Sequence, residues 1–343
     1  MSRRQQAAKL FDNIGGVSLL DRYWGMQRLT VLAYHRIIEW QHPDFADYEP
    51  VVSATPTQFE EQMQFIKQHF NVISLQDLDN FVTKSTSLPS RPLLITFDDG
   101  YTDNYVHAYP ILKKYGFPAV IFIVTSRMTD PTRLWWDRVA FAFHYTTFSK
   151  ATIPLLGEHS FNSLSERRQV RQMLIDRLKI LPENDKLATI GELERTLGVK
   201  PDNTPQFINW DQVRELVANG VACQPHTVTH PIMTRIRIDE VQRQLAEAKA
   251  TIEHETNQEA IAFAYPNGTP ADYSAETMRV LRENGYRLAF TLTAGPMRAR
   301  EVQAHPLEIK RVYLSNRDTI EIYKMKVMGV PALLDRTPYM SSK

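Results

Sequence analysis

Two rhythms of apolar and polar positions run along this chain. Short β-branched or apolar runs at residues 29–34, 71–73, 93–97, 119–124, 221–224, 261–264, 288–292 and 309–314 read as buried strands. Longer stretches of helical period separate them. Thr55-Pro56 opens one helix as cap and first-turn proline, while Gly116, Gly220 and Gly285 each close one. Ile238, Val241, Leu245, Ala248 and Ile252 form the apolar stripe of another. The alternation breaks at about residues 128–207, where 134–143, 165–181 and 186–197 all read as helical with no strand between them. Strand and helix in turn predict an α/β fold with parallel strands, and about eight strands favour a (β/α) barrel carrying a helical insertion. In such a barrel, catalytic side chains stand at the C-terminal strand ends.

Composition narrows the function classes. The length of 343 residues alone suggests two domains, but no internal repeat or linker marks a boundary. The expected organisation is an N-terminal helical extension at 1–27, a barrel over 28–330 and a tail at 331–343. Lys+Arg 40 against Asp+Glu 39 leaves a charge of +1, without the basic excess of a nucleic-acid binder. The single cysteine, Cys223, excludes an internal disulfide and reads as a small core residue. Polar residues interrupt the first twenty positions, so no secretory signal is read and a cytoplasmic location is expected. Ala7, Leu10, Phe11, Ile14 and Val17 follow a helical period near Arg3, Arg4 and Lys9, a composition suited to packing on the barrel or to peripheral membrane contact.

Two segments carry the chemistry. Leu93-Leu94-Ile95-Thr96-Phe97 runs straight into Asp98-Asp99-Gly100, which places two carboxylates at the end of a core strand. Alone, this also reads as an Asp-Gly turn. Val221-Ala222-Cys223-Gln224-Pro225 leads into His226-Thr227-Val228-Thr229-His230, and on a helical turn residues four apart share a face. Two imidazoles and one carboxylate would make a three-ligand site with an open position for water. The spare aspartate would then serve as acid or base. The same donors also suit Fe(II) oxygen chemistry.

These residues resemble the polysaccharide deacetylases of carbohydrate esterase family 4, whose fold is a distorted (β/α) barrel of seven or eight strands. Thr96-Phe97-Asp98-Asp99-Gly100 matches that family's first motif, so the resemblance implies Asp98 as catalytic base and Asp99 as metal ligand. His226 through Pro231 matches the second motif, implying His226 and His230 as the other ligands. The implied ion is Zn2+, with Co2+, Ni2+ or Mn2+ as alternatives. Phe263-Ala264-Tyr265-Pro266-Asn267-Gly268 looks like the third motif, with Tyr265-Pro266 lining the groove and a backbone N–H near Tyr265 facing the oxyanion. Tyr101 is a further groove candidate, and Trp135 or Trp136 could stack on sugar rings or belong to the core.

The chain departs from the pattern in three places. Ala264 stands where many members carry an arginine that orients the base, and Arg311 on the last predicted strand is the candidate replacement. Pro225 replaces a frequent serine. No Leu-x-His motif lies near the C-terminus, but Tyr34-His35 resembles the N-terminal element of circularly permuted members such as the poly-N-acetylglucosamine deacetylases, which implies His35 as general acid. The activity implied is removal of N-acetyl groups from an oligo-, poly- or lipid-linked saccharide. A glycan-binding barrel without catalysis is the rival expectation.

Overall fold

The computed structural model describes residues 3–13, 15–16, 28–202 and 204–330. The expected C-terminal tail at 331–343 and the positions Ile14 and Val17 lie outside the described residues, as do the side chains of Arg3, Arg4 and Ala7.

The fold is mixed α/β around a mostly parallel sheet. Its principal strands are β1 (Arg28–Tyr34), β2 (Pro92–Phe97), β3 (Ala119–Ile123), β4 (Val221–Pro225), β5 (Ala262–Ala264), β6 (Leu288–Phe290) and β7 (Val312–Tyr313). Parallel ladders join β7 to β1, β1 to β2, β2 to β3 and β3 to β4, and a separate ladder joins β5 to β6. Side chains of β1, β2 and β3 are almost wholly buried, which is why these segments read as continuous apolar runs. The run at 71–73 forms a two-residue strand, Asn71–Val72, that pairs with the start of β2. The run at 309–314 is strand only at β7, but backbone bonds from Ile309 to Ala289 and from Arg311 to Thr293 carry it alongside β6.

Two seams lack a strand ladder among the described residues: β6–β7, joined by a single bridge from Phe290 to Ile309 and by those backbone bonds, and β4–β5, which has no backbone ladder at all. Side chains bridge the β4–β5 seam. Gln224 Oε1 accepts from the N–H groups of Ile261 and Ala262 at 2.9 Å each, replacing the carbonyls of a missing ladder. The His226 ring reaches the Ala264 carbonyl across the same seam at 2.8 Å.

Helices pack outside. Pro56–His69 begins at Thr55, whose hydroxyl accepts from the Gln58 N–H, and Gly116 ends Tyr109–Tyr115 at φ 67. In the helix Ile238–Thr256, Val241, Leu245, Ala248 and Ile252 are buried. Helices Trp135–Tyr145, Leu164–Leu178 and Glu183–Thr196 occupy the irregular stretch and share buried Val139, Phe143, Leu174 and Ile190. A hairpin, Lys150–Ile153 with Gly157–Ser160, interrupts them. Its strands hold only four residues each and bury only Ile153, too weak an alternation to read from sequence.

At the N-terminus, the helix Arg3–Asn13 buries Ala8 against Ile322 and Met325, with Phe11 beside them, whereas Leu10 of the expected stripe is 62% exposed. Among the described residues, no helix is long and apolar enough to cross a membrane.

Candidate metal centre and active site

The β1–β2 ladder continues one residue past its strand, where the Asp98 N–H donates to the Tyr34 carbonyl at 2.9 Å. The chain then turns through φ 76 at Asp99 and φ 78 at Gly100. Glycine adopts this left-handed region freely; aspartate tolerates it at a cost. The turn sends the two neighbouring carboxylates into different surroundings.

Asp98 meets Arg311. The guanidinium grips both carboxylate oxygens, Nη1 to Oδ1 at 2.7 Å and Nη2 to Oδ2 at 2.8 Å. Arg311 is itself wholly buried and held by the Thr291 carbonyl at 3.0 Å and the Thr96 hydroxyl at 3.2 Å. Burial alone would raise the Asp98 carboxyl, but Arg311, aided by His226 and His35, outweighs it and holds the group well below the usual carboxylate range.

Asp99 has no such partner. Both its oxygens are buried without a hydrogen bond, and burial, with Asp98 and Asp137 nearby, pushes its carboxyl well above the usual range. A buried carboxylate left in this state is costly unless a cation joins it. Two imidazole nitrogens approach it: His226 Nε2 lies 3.6 Å and His230 Nε2 3.5 Å from Asp99 Oδ1. Burial depresses both imidazoles, favouring the neutral form that ligates metals. His226 directs Nδ1 at the Ala264 carbonyl, so that nitrogen carries the proton and Nε2 keeps its lone pair.

Three donors ~2.0–2.1 Å from one ion in tetrahedral array stand roughly 3.3–3.5 Å apart. The observed separations from Asp99 Oδ1 are close to that, and all three donor atoms lie within 4.8 Å of one another. The residues therefore fit a divalent ion.

The two histidines do not sit on a helical turn as their spacing suggests. They flank an irregular loop in which Thr227 and His230 adopt φ 69 and φ 62. The Thr227 hydroxyl accepts from the His230 N–H at 2.8 Å, and Gln244 accepts from the N–H groups of Val228 and Thr229 at 2.9 and 3.0 Å. Backbone hydrogen bonding, not helical periodicity, brings the two rings to 4.7 Å.

This arrangement lies within the stretch, residues 85–289, that matches the family model for polysaccharide deacetylases. The chain belongs to the polysaccharide deacetylase family.

YxkH of Bacillus subtilis is 20% identical over 269 residues, which cover 78% of this chain and 66% of that protein. A poly-beta-1,6-N-acetyl-D-glucosamine N-deacetylase of Staphylococcus aureus is 38% identical over 79 residues, 23% of this chain and 27% of its own. The matches span less than two thirds of either relative. Two solved structures share the fold: the Streptococcus pyogenes deacetylase PplD, with TM-score 0.59 and 19% identity over 88% of this chain and 98% of that one, and IcaB from Ammonifex degensii, with 0.56 and 19% over 89% and 98%.

In this polysaccharide deacetylase fold, His35 follows β1 beside the clamped carboxylate, its Nε2 3.8 Å from Asp98 Oδ2. Its backbone is pinned by Ser53 and Asn104, at 2.9 and 2.6 Å, while Nδ1 has no partner. Burial lowers its pKa to about 4, only partly opposed by Asp98. With 12% of the side chain exposed, His35 keeps more solvent contact than Asp98, Asp99, His226 or His230.

Tyr101 and Tyr265 require correction. Tyr101 is fully buried, stacked on Phe207 and covered by the Arg36 guanidinium, and its hydroxyl donates to Asp137 at 2.5 Å. It belongs to the packing behind the site and lines no groove. Tyr265 is likewise wholly buried and stacked on Tyr273; its hydroxyl donates to the Leu307 carbonyl and its N–H to that of Phe290. Both donors are committed, so neither faces an oxyanion. Pro266 is buried and has no N–H, which leaves Asn267, at φ 59, as the next backbone donor along the chain.

Some supports were not legible in the sequence. Trp136 sets its ring edge-on to His230 at 4.7 Å and donates through Nε1 to the Tyr101 hydroxyl at 3.1 Å. Asp137 takes the Tyr101 hydroxyl on one oxygen and the Tyr48 N–H, at 2.8 Å, on the other. Burial and Asp47 raise its pKa to about 7. Trp135 and Trp136 are both buried, so neither forms an exposed sugar platform. The Trp-Trp-Asp run is a signal of packing, but only the fold shows that it packs on a histidine of the donor trio.

Proposed function

We propose that this chain is a metal-dependent hydrolase that removes N-acetyl groups from amino sugars of a glycan, releasing acetate. The observation that carries the reading is one clamped carboxylate, Asp98, standing beside a buried donor trio in which both Asp99 oxygens lack a hydrogen bond, and facing a histidine 3.8 Å away. Asp99, His226 and His230 would hold Zn2+ or a similar divalent ion. Bound there, such an ion lowers the pKa of water toward ~7 and polarises a carbonyl.

Asp98 Oδ2 is the proton acceptor. Arg311 keeps it ionised and fixes its plane, in the role for which Ala264 offers no side chain. His35 is the acid that protonates the departing amine. Because burial keeps His35 neutral at rest, its proton has to arrive during the cycle, and Asp98 is the neighbouring carboxylate that supplies it. A backbone N–H after Tyr265, with Asn267 the next available, would serve the oxyanion.

Two features that suggested a binding-only barrel, Ala264 and the missing C-terminal histidine, find counterparts in Arg311 and His35. The spare carboxylate likewise favours hydrolysis over oxygen chemistry. The test is acetate release by Zn2+-loaded protein from a panel of N-acetylated oligosaccharides and lipid-linked glycans. Asp98→Asn should abolish release while metal content stays near that of the parent. Wild-type turnover in that variant would remove Asp98 as the base, and no release from any substrate by loaded parent protein would overturn the deacetylase reading.

A further inference from the structure

The β1–β2 ladder stops short of His35. Its last rung is the Asp98 N–H on the Tyr34 carbonyl, and beyond it one chain turns at Asp99 and Gly100 while the other runs on through His35, Arg36 and Ile37. On one side that second segment is paired: Arg36 and Ile37 lie against Val52 and Ala54, and the His35 N–H donates to the Ser53 hydroxyl at 2.9 Å. Two other side chains grip it as well. The His35 carbonyl accepts from Asn104 Nδ2 at 2.6 Å, and the Ile37 N–H donates to Asp103 Oδ1 at 2.7 Å. Asp103 Oδ2 then accepts from Arg36 Nε at 2.8 Å.

Asp103 and Asn104 are both buried and stand four and five residues after Asp99. There the chain returns in a π-helical turn, Asn104–Ala108, that leads into the helix Tyr109–Tyr115. Such turns are rare and recur at functional sites. The short segment 98–104 thus carries the clamped carboxylate, one metal donor and the two side chains that hold the peptide units just after His35. An ionised acceptor holds its donors more tightly than a neutral one, so Asp103 is the stronger of the two grips. Its partner Arg36 is fixed at the far end, by Asp47 Oδ2 at 2.5 Å from Nη1 and by the Tyr101 face 4.4 Å from the guanidinium.

His35 Nε2 stands 3.8 Å from Asp98 Oδ2, just outside hydrogen-bond contact. Reacting groups of this kind tolerate displacements of only about 0.5 Å. Arg311 fixes Asp98 independently, so the separation depends on what holds His35. We propose that Asp103 is a positioning residue for the acid: with Asn104, it sets where the His35 ring stands relative to Asp98. This rests on the deacetylase reading.

Kinetics of acetate release, on the N-acetylated glycan that the parent protein turns over fastest, test it. Asp103→Asn keeps an oxygen for the Ile37 N–H but loses the charge that holds Arg36, and Asp103→Ala loses both. kcat should fall about tenfold in the first and up to about 100-fold in the second, with KM and metal content near parental. Placed on His35→Ala, the same substitutions should change kcat by less than about twofold, because a residue that acts through His35 then has nothing left to act on. Equal losses in both backgrounds, or a parental kcat in Asp103→Ala, would overturn the proposal. Histidine-ring NMR of metal-free protein gives a readout that needs no turnover. Asp103→Asn should move the His35 ring signals and leave those of His226 and His230 in place, and unmoved His35 signals would sink the positioning role. Moved His35 signals in a protein that releases no acetate from any glycan would remove the deacetylase reading and sustain the grip on His35.

Discussion

The two halves of the strand circuit are built differently. From β1 to β4 the ladder is uninterrupted, and the chain just beyond these strands carries His35, Asp98, Asp99 and His226. From β5 to β7 the strands are three, three and two residues long. That half sends in the Arg311 side chain and the Ala264 carbonyl. Groups whose mutual distances matter to within tenths of an ångström sit on the laddered half, where backbone hydrogen bonds fix them. The shorter half works at a distance, through a guanidinium fork that brings its own geometry and a carbonyl that fixes one imidazole's proton.

Removing a donor from the laddered half should have the largest effect. Asp99→Ala or His226→Ala is expected to lose bound metal, measured by elemental analysis, and to lower acetate release by at least about 10³-fold. If such variants keep both, the donor trio is not the metal centre. Next is Arg311→Met in the other half, which leaves the Asp98 charge buried and alone. It should destabilise the protein by about 3–5 kcal/mol in denaturant titration. An unchanged midpoint would mean that the short half contributes nothing to holding the site.

A pH experiment sharpens the same contrast. Burial lowers His35 to about 4 from an ordinary 6.5. The unfolded chain therefore takes up this proton first on acidification. The associated stability is present above pH ~6.5 and lost as pH falls toward about 4, by up to roughly 3 kcal/mol. In metal-free protein, His35→Asn should flatten the stability profile over that window; an unaltered profile would show that His35 is not held neutral. The smallest effect is expected from the helical insertion. Trp136→Phe keeps a ring against His230 but removes the bond to Tyr101, and should weaken metal affinity about tenfold or less. A variant with parental affinity would make that contact mere packing.

What could be read from sequence was whatever is written within a few residues. An apolar run entering Asp98-Asp99 marks a strand end, and a second run entering His226 marks another. Which side chain meets which across the fold is not written there. Tyr101 and Tyr265 stand next to recognisable motifs, yet chain adjacency does not determine direction, and both turn inward to stack on Phe207 and Tyr273. Gln224 looks like any polar residue in a strand until β5 arrives beside β4 with no ladder between the two. Trp136 and His230 are brought together only by tertiary packing. The histidine loop is held by hydrogen bonds that its backbone N–H groups donate to Thr227 and Gln244, which no periodicity announces.

Asp99, Thr227 and His230 share one further property, a left-handed backbone that none of their side chains prefers. At each of them glycine would be easier on the main chain and useless to the chemistry, at a difference on the order of 1 kcal/mol or more per residue. A chain chosen for durability alone would drift toward glycine at these three positions. Libraries screened only for thermal resistance should therefore enrich variants that have quietly discarded the centre, and a stabilised descendant of this protein is worth trusting only when the screen also demands that the site survive.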